Sequence, residues 1–427
     1  FQRLLNIFLH QMPAKTTNIF GRTMKHKKAT FATIIIFFSL SVSSNNLEQD
    51  VAAYQEALIR NGVTGSNIAG VFGQSKTLAL SAVTSSLKGD KAVSEDTIFP
   101  IWSMSKPITI VAMMILLDEG AYKLDDPITK YLPYFGGLKC KLSDSDNSTY
   151  PCEKELLVKH LLTHRSGYAY YGGPLNNGGP DFRDPFLNLD EFARHVASHP
   201  VEFEPGTEYL YGINQAILGR LIEVLSNKEF YTFLRDEIFN PLEMKETKFF
   251  LTEDDRARFQ PLYRKGQSEL GLNGIMPDEG ISRITNNHDE LEYKENTLKQ
   301  LGGEGLVSTF RDYRKFCEML LAGGSFKDKV IISPESFSLM TTTVTPSQIS
   351  SGYNSGFGYS FSMFSLEEPL LDGTGAPKGI FGWSGYHNTH FWIDRKNEIF
   401  GLFMSRTTPF SFEIQKHFRA VVYDHMK

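Results

Sequence analysis

Ser103-Met104-Ser105-Lys106 sets a hydroxyl and an amine one helical turn apart. On a helix the two side chains share a face, so the amine can take the hydroxyl proton and leave a nucleophile for a carbonyl carbon. The same spacing recurs at Ser85-Ser86-Leu87-Lys88, and context separates the two copies. Ser85 lies where a strand-like run enters the turn Lys88-Gly89-Asp90, which gives hydroxyl and amine no fixed relation. Ser103 follows the apolar Ile98-Phe99-Pro100-Ile101-Trp102 and opens a helical run ending near Gly120. Its hydroxyl is therefore expected at a helix N-terminus, where exposed N–H groups favour an oxyanion. Spacing alone leaves open a second reading, in which Ser103 is only an N-cap and Lys106 a solvated first-turn residue.

Other clusters carry less. His387 and His390 sit in a turn-and-strand setting with no acid beside them, which favours packing or a substrate rim over a metal pair. Asp144, Asp146, Ser148, Tyr150 and Glu155 copy the ligand spacing of a calcium loop, but Thr149 stands where the sharp turn wants glycine and no helix pair is evident. Gly382-Trp383-Ser384-Gly385-Tyr386 has tyrosine in the last glycine position of G-x-S-x-G, so a strand-to-helix nucleophile elbow is not supported. The chain holds 3 Cys and no C-x-x-C pair, too few for a four-cysteine zinc site. No metal and no cofactor is expected.

These residues need a scaffold, and the chain has the means to build one. With 427 residues, 41% of them hydrophobic and 22% charged, it can bury a real core. A net charge of −5 without a basic stripe argues against a nucleic-acid partner. Leu47, Val51, Tyr54 and Leu58 recur at helical spacing up to Asn61-Gly62, and the strand-like runs Ile68–Phe72 and Leu78–Val83 follow. The far end returns to strands at 356–361, 380–383, 390–394 and 398–404 and closes on a helix over about 411–423. Strands at both ends around a middle rich in helices and loops predict an α+β fold: one antiparallel sheet flanked by terminal helices, with a mostly helical region inserted. Residues 45–427 read as a single catalytic domain, with the sheet from about 45–100 and 330–427 and the helical part from about 103–325.

Residues 1–44 are set apart as an upstream segment and signal peptide. Met24-Lys25-His26-Lys27-Lys28 is a basic start, Ala29–Val42 an apolar run, and Ser43-Ser44 a small-residue exit. The apolar run falls short of the roughly 18 to 20 residues a membrane-crossing helix needs. Export to a periplasmic or secreted location follows as the expectation, with no stable membrane insertion once the signal is removed. In an oxidising compartment, Cys140 and Cys152, which bracket a short polar loop, are expected to pair and to restrict the unfolded chain by roughly 3 kcal/mol. Cys317 lies in a helical pattern and reads as a small buried apolar side chain.

The chain resembles the serine β-lactamase and penicillin-binding-protein-related hydrolases, in particular the branch of class C β-lactamases and β-lactamase-fold esterases. The resemblance runs from about Leu47 to Tyr423. Its stretches are Asp96–Pro107 around Ser103, Leu124-Asp125-Asp126-Pro127, Tyr131-Leu132-Pro133, Leu161–Gly167, Pro205-Gly206-Thr207 before Tyr211, and Gly305–Thr309. It implies a β-lactamase/transpeptidase-like fold and a serine attacking through an acyl-enzyme, with Ser103, Lys106 and Tyr211 as the catalytic set. Tyr211 matches the tyrosine of the family's Y-x-N motif, with Ile213 where asparagine is usual and Asn214 one residue late. A phenol beside an ammonium can lose its proton below its usual pKa of about 10, whereas the bland reading leaves Tyr211 packed in a capping turn. Trp383-Ser384-Gly385 stands where many members carry K-T-G. By resemblance, the N–H groups of Ser103 and Tyr386 form the oxyanion hole, and Trp383, Ser384, Gly385, Asn214 and His387 border the substrate. His164 is expected to belong to the scaffold. The substrate is a small ester or amide, with esters preferred. The alternatives are a β-lactamase or D-aminopeptidase-type peptidase, and a non-catalytic protein that recognises penicillin or peptidoglycan.

Overall fold

The apolar face recurring from Leu47 becomes helix α1 (Leu47–Arg60), which buries Leu47, Val51 and Leu58 and is capped by Asn46, whose side chain accepts from the Glu48 N–H at 3.1 Å. The structure, a computed structural model, describes residues 46–142, 148–170, 186–265, 283–285, 291, 293–347 and 355–427. After α1 come strands β1 (Asn67–Gly73) and β2 (Thr77–Val83), then α2 (Ser105–Asp118), α3 (Asn214–Ser226) and α4 (Phe310–Leu321). The chain ends in β3 (Phe357–Tyr359), β4 (Phe364–Leu366), β5 (Phe381–Gly385), β6 (Thr389–Asp394), β7 (Ile399–Ser405) and α5 (Phe412–His425). These strands form a seven-stranded antiparallel sheet in the order β3-β4-β5-β6-β7-β1-β2. The junction of the two ends is β1 against β7, registered from Asn67↔Ser405 to Gly73↔Ile399.

Period-two alternation sends neighbouring side chains to opposite faces, and both faces are covered. His390 of β6 and its cross-strand partner Phe403 of β7 meet Phe418 of α5, which also touches Trp392. Phe391, between them in sequence, meets Tyr313 of α4 on the other side. Helices α1 and α5 are tied together by Tyr54, which stacks on Phe418 at 6.3 Å and donates to the Ile414 carbonyl at 2.6 Å. Coverage on both sides explains why all residues of β1 and β7 are buried, with no polar-out alternation left in their sequences.

Three expectations change in detail. The region 103–325 is not purely helices and loops: Lys139–Lys141 pairs with Thr149–Pro151, and Leu262–Arg264 pairs with Arg283–Thr285 and Thr407–Thr408. Pairs this short have no periodicity to find. Strand β4 escaped for the same reason. The turn holding Ser103 is a separate 3-10 turn, Trp102–Met104, and α2 begins only at Ser105. Cys140 and Cys152 are bonded and close the small hairpin, while Cys317 is free and buried in α4. Of the calcium-like spacing, Asp144 and Asp146 lie outside the described residues, and the flanking elements are hairpin strands instead of helices.

His390 gives the fold a pH dependence. The ring is 1% exposed, stacked on Phe403 at 5.3 Å, and neither nitrogen has a hydrogen-bond partner among the described residues. Burial, reinforced by the Arg419 guanidinium, holds its pKa well below the ordinary 6.5. The unfolded chain takes up a proton near pH 6.5 that the folded chain refuses, so this contribution is present above 6.5 and lost on acidification, by up to about 1.4 kcal/mol per pH unit. His164, also buried with a lowered pKa, acts in the same direction. His390→Phe keeps the ring and removes the titration. Thermal melts from pH 7.5 to 5.5 should show a smaller loss of Tm in the variant than in the parent; equal losses would remove His390 as a source.

Candidate active site

Ser103 sits at the mouth of a strained turn. Ile98–Pro100 pairs with Val307–Thr309, Ile101 N–H donates to the Leu306 carbonyl at 3.0 Å, and the chain then reverses through Trp102 at φ +47°. That left-handed conformation costs an aromatic residue on the order of 1 kcal/mol, and the paired strands and buried indole hold it. One turn further on, Lys106 is 0% exposed. Its Nζ lies 3.1 Å from Ser103 Oγ, 2.8 Å from the Gly303 carbonyl and 3.1 Å from Glu304 Oε1. The pairing of residues 98–100 with 307–309 brings this acidic segment beside α2. Gly302 allows the close fit, since a Cβ there would stand 2.5 Å from the Gln215 carbonyl.

Tyr211 comes from the loop before α3 and donates its hydroxyl to Ser103 Oγ at 2.7 Å. Its ring is 4.9 Å from His164, 5.3 Å from Tyr170 and 5.6 Å from Trp383. His164 fixes the loop, its Nδ1 accepting from Gly212 N–H at 3.3 Å and meeting the Asn214 amide at 2.9 Å. Burial first and the Lys106 charge second keep His164 well below its usual pKa, so it is neutral at pH 7. For Lys106, burial alone would favour the free amine, but the Glu304 carboxylate, with Tyr211, outweighs it and raises the ammonium pKa above 10.5.

Strand β5 supplies the opposite wall. Trp383 is 9% exposed and lies with Tyr359 and Phe364, at 6.2 and 6.4 Å, next to Tyr211. Gly385 approaches the turn so closely that a Cβ would stand 2.3 Å from the Ile101 carbonyl, which seats the end of β5 against the segment leading into Ser103. Tyr386 follows, 47% exposed, its ring 5.3 Å from Trp102.

The structure thus brings Ser103, Lys106, Tyr211, Trp383, Gly385 and Tyr386 into one locality, with Ser384 between the last strand residues. Two expected substrate contacts are corrected. Asn214 is 0% exposed and spends its side chain on Ser166 and His164, because helix α3 turns it into the core. His387 is also 0% exposed; its ring packs edge-on to Trp102 at 5.6 Å, and its carbonyl accepts from Thr407 N–H and Ser405 Oγ, both at 3.1 Å. At the second S-x-x-K copy, Ser85 donates to Asp90 while Ser86 and Lys88 are exposed in coil.

Sequence reasoning missed Glu304 and Tyr170. Glu304 is 3% exposed, and its Oε1 accepts both Lys106 and the Tyr170 hydroxyl. The available signal was an acid set between glycines in Gly302-Gly303-Glu304-Gly305, beside a helix whose buried lysine requires a counter-ion.

The sequence profile of the Beta-lactamase family matches residues 47–424, and the chain belongs to that family. It is 29% identical over 338 residues to Protein Rv1367c of Mycobacterium tuberculosis, spanning 74% of this chain and 79% of the relative. Esterase EstB of Burkholderia gladioli is 26% identical over 331 residues, again 74% and 79% of the two chains. Among solved structures, EstCE1, described as a hydrolase with promiscuous acyltransferase activity, superposes with a TM-score of 0.73 at 22% identity, covering 88% of this chain and 98% of that one. The protein is a hydrolase of the β-lactamase/transpeptidase-like fold.

Proposed function

We propose that the protein is a serine hydrolase that cleaves carboxylic esters through an acyl-enzyme on Ser103. The observation that carries this reading is the convergence on one oxygen: Ser103 Oγ has Tyr211 Oη at 2.7 Å and Lys106 Nζ at 3.1 Å. The Tyr211–Lys106 unit first gives up one proton to solvent and then takes the Ser103 proton as Oγ bonds to the carbonyl carbon. The oxyanion is received by the N–H groups of Ser103 and Tyr386. The bond to the alcohol oxygen then breaks, and the proton held by the unit goes to the departing alcohol. Water repeats the sequence on the acyl-enzyme, giving the carboxylic acid and restoring the serine hydroxyl. No cofactor takes part. EstB, an esterase by name, supports the ester preference, as does the indole beside Tyr211.

A fluorophosphonate probe should label the folded protein at Ser103, located by peptide mass spectrometry, and p-nitrophenyl butyrate should be hydrolysed. A folded protein that takes no label at Ser103 would overturn the hydrolase reading at this residue.

The protein is further proposed to act after export, as periplasmic or secreted enzyme. The basic-apolar-small pattern of residues 24–44 supports this, as does the Cys140–Cys152 bond, which persists in oxidising compartments. Among the described residues no helix is long and apolar enough to cross a membrane.

A further inference from the structure

Every donor of the Lys106 ammonium is occupied: one N–H each for Ser103 Oγ, the Gly303 carbonyl and Glu304 Oε1. Ile213, two residues past Tyr211, is fully buried and apolar and offers the amine nothing. The third polar partner comes instead from Glu304, which lies far away in sequence and reaches the amine through the pairing of residues 98–100 with 307–309. Its Oε1 also accepts the Tyr170 hydroxyl, and Tyr170 and Tyr211 lie beneath the same ammonium, their ring centroids 5.2 and 5.0 Å from Nζ. The other carboxylate oxygen, Oε2, is buried with no hydrogen-bond partner among the described residues. A carboxylate half-satisfied in a dry place destabilises the fold unless its charge is balanced, and Lys106 is the cation that balances it.

We infer that Glu304 is a positioning residue that sets the charge of Lys106 and thereby the pH at which Ser103 becomes nucleophilic. The inference rests on the hydrolase reading and adds a fourth side chain to the proton unit. The groups facing Lys106 are Ser103 from its own turn, Glu304 and the Gly303 carbonyl from the segment before residues 307–309, Tyr170, Tyr211 from the loop before α3, and the neutral His164. Among these, Glu304 supplies the negative charge. The Glu304 carboxylate, 3.1 Å from Nζ, makes the loss of a proton from Lys106 harder. Its removal therefore moves the active ionisation in one direction only, toward lower pH.

The test is the pH profile of fluorophosphonate labelling at Ser103, supported by that of kcat/KM for p-nitrophenyl butyrate. Glu304→Gln keeps the shape and removes the charge, and its ascending limb should lie lower than the parent's by about 1 pH unit or more. Glu304→Asp keeps the charge on a shorter arm and should lose rate while leaving the limb near its parental position. Tyr170→Phe leaves Lys106 as the one hydrogen-bond partner of Oε1 among the described residues and should move the limb upward. This variant reads the same coupling if Glu304→Gln does not fold. A Glu304→Gln profile lowered in rate at every pH with an unmoved limb would show a merely structural residue and overturn the inference. So would an unmoved limb in Tyr170→Phe. A parent protein that takes no label at any pH fails the hydrolase reading itself, a result distinct from a labelled parent with an unmoved limb.

Discussion

Ser103→Ala should lower kcat/KM for an activated ester by about three orders of magnitude or more and abolish fluorophosphonate labelling, while Ser86→Ala stays close to the parent. The contrast follows from placement: Ser103 Oγ has an amine and a phenol within hydrogen-bonding distance, whereas Ser86 is exposed in coil. Lys106→Ala and Tyr211→Phe should each lose several orders of magnitude. The double variant should lose little more than the worse single one, because both act on one proton at one oxygen. The double-mutant cycle, run at a fixed pH on the plateau of the parent, reads this directly. Additive losses would mean that amine and phenol serve separate steps. Lys106→Ala also strips Glu304 of its cation and leaves a buried carboxylate, so a thermal melt belongs beside the kinetics.

The part of this site that could be read from the sequence is the part built on local periodicity. Ser103 and Lys106 are one turn apart, and Tyr211, Trp383 and Gly385 stand out through the family resemblance; the structure gathers all five. The sheet was legible for a related reason: long strands such as β7 (Ile399–Ser405) are unbroken apolar runs, and the terminal helices carry one apolar face. What could not be read depends on pairing between distant segments. Glu304 is an acid among glycines until residues 307–309 lie against 98–100, and only that register puts its carboxylate on Lys106. Asn214 and His387 failed for the opposite reason. Each lies near a candidate site residue in sequence, but helix α3 and the turn after β5 direct their side chains into the core, where they support Tyr211 and Trp102. Adjacency in a motif does not fix the direction in which a side chain points.

Direction also decides substrate choice, and ester hydrolysis should far exceed β-lactam hydrolysis. β-Lactam antibiotics carry a carboxylate beside the ring, and the lysine of a K-T-G strand would offer it a cation; Trp383 offers an indole, held among Tyr211, Tyr359 and Phe364. Of the cations that directly follow β6 and β7 in sequence, Arg395, Lys396 and Arg406, none compensates. Arg395 and Lys396 follow Asp394, at the Phe381↔Ile393 end of the β5–β6 pair, whereas the site lies at the Gly385↔Thr389 end. At about 3.3 Å per residue the two ends are more than about 10 Å apart. The Arg395 guanidinium instead lies 4.9 Å from the Phe337 ring. Arg406 is 2% exposed, donates to the Gln260 carbonyl at 2.9 Å and covers Phe259. Lys106 is already matched by Glu304. Losing one charge-assisted contact in a partly dry site costs about 1.5 to 3 kcal/mol, or about 10- to 150-fold in transition-state binding. Esters need no such cation, since their carbonyl is more reactive than an amide's and an indole can shelter an acyl or alkyl chain. p-Nitrophenyl acetate and butyrate should therefore be cleaved readily and nitrocefin slowly or not at all, compared as kcat/KM on one preparation. A nitrocefin value equal to or above the ester values would reverse the assignment and make the enzyme a β-lactamase.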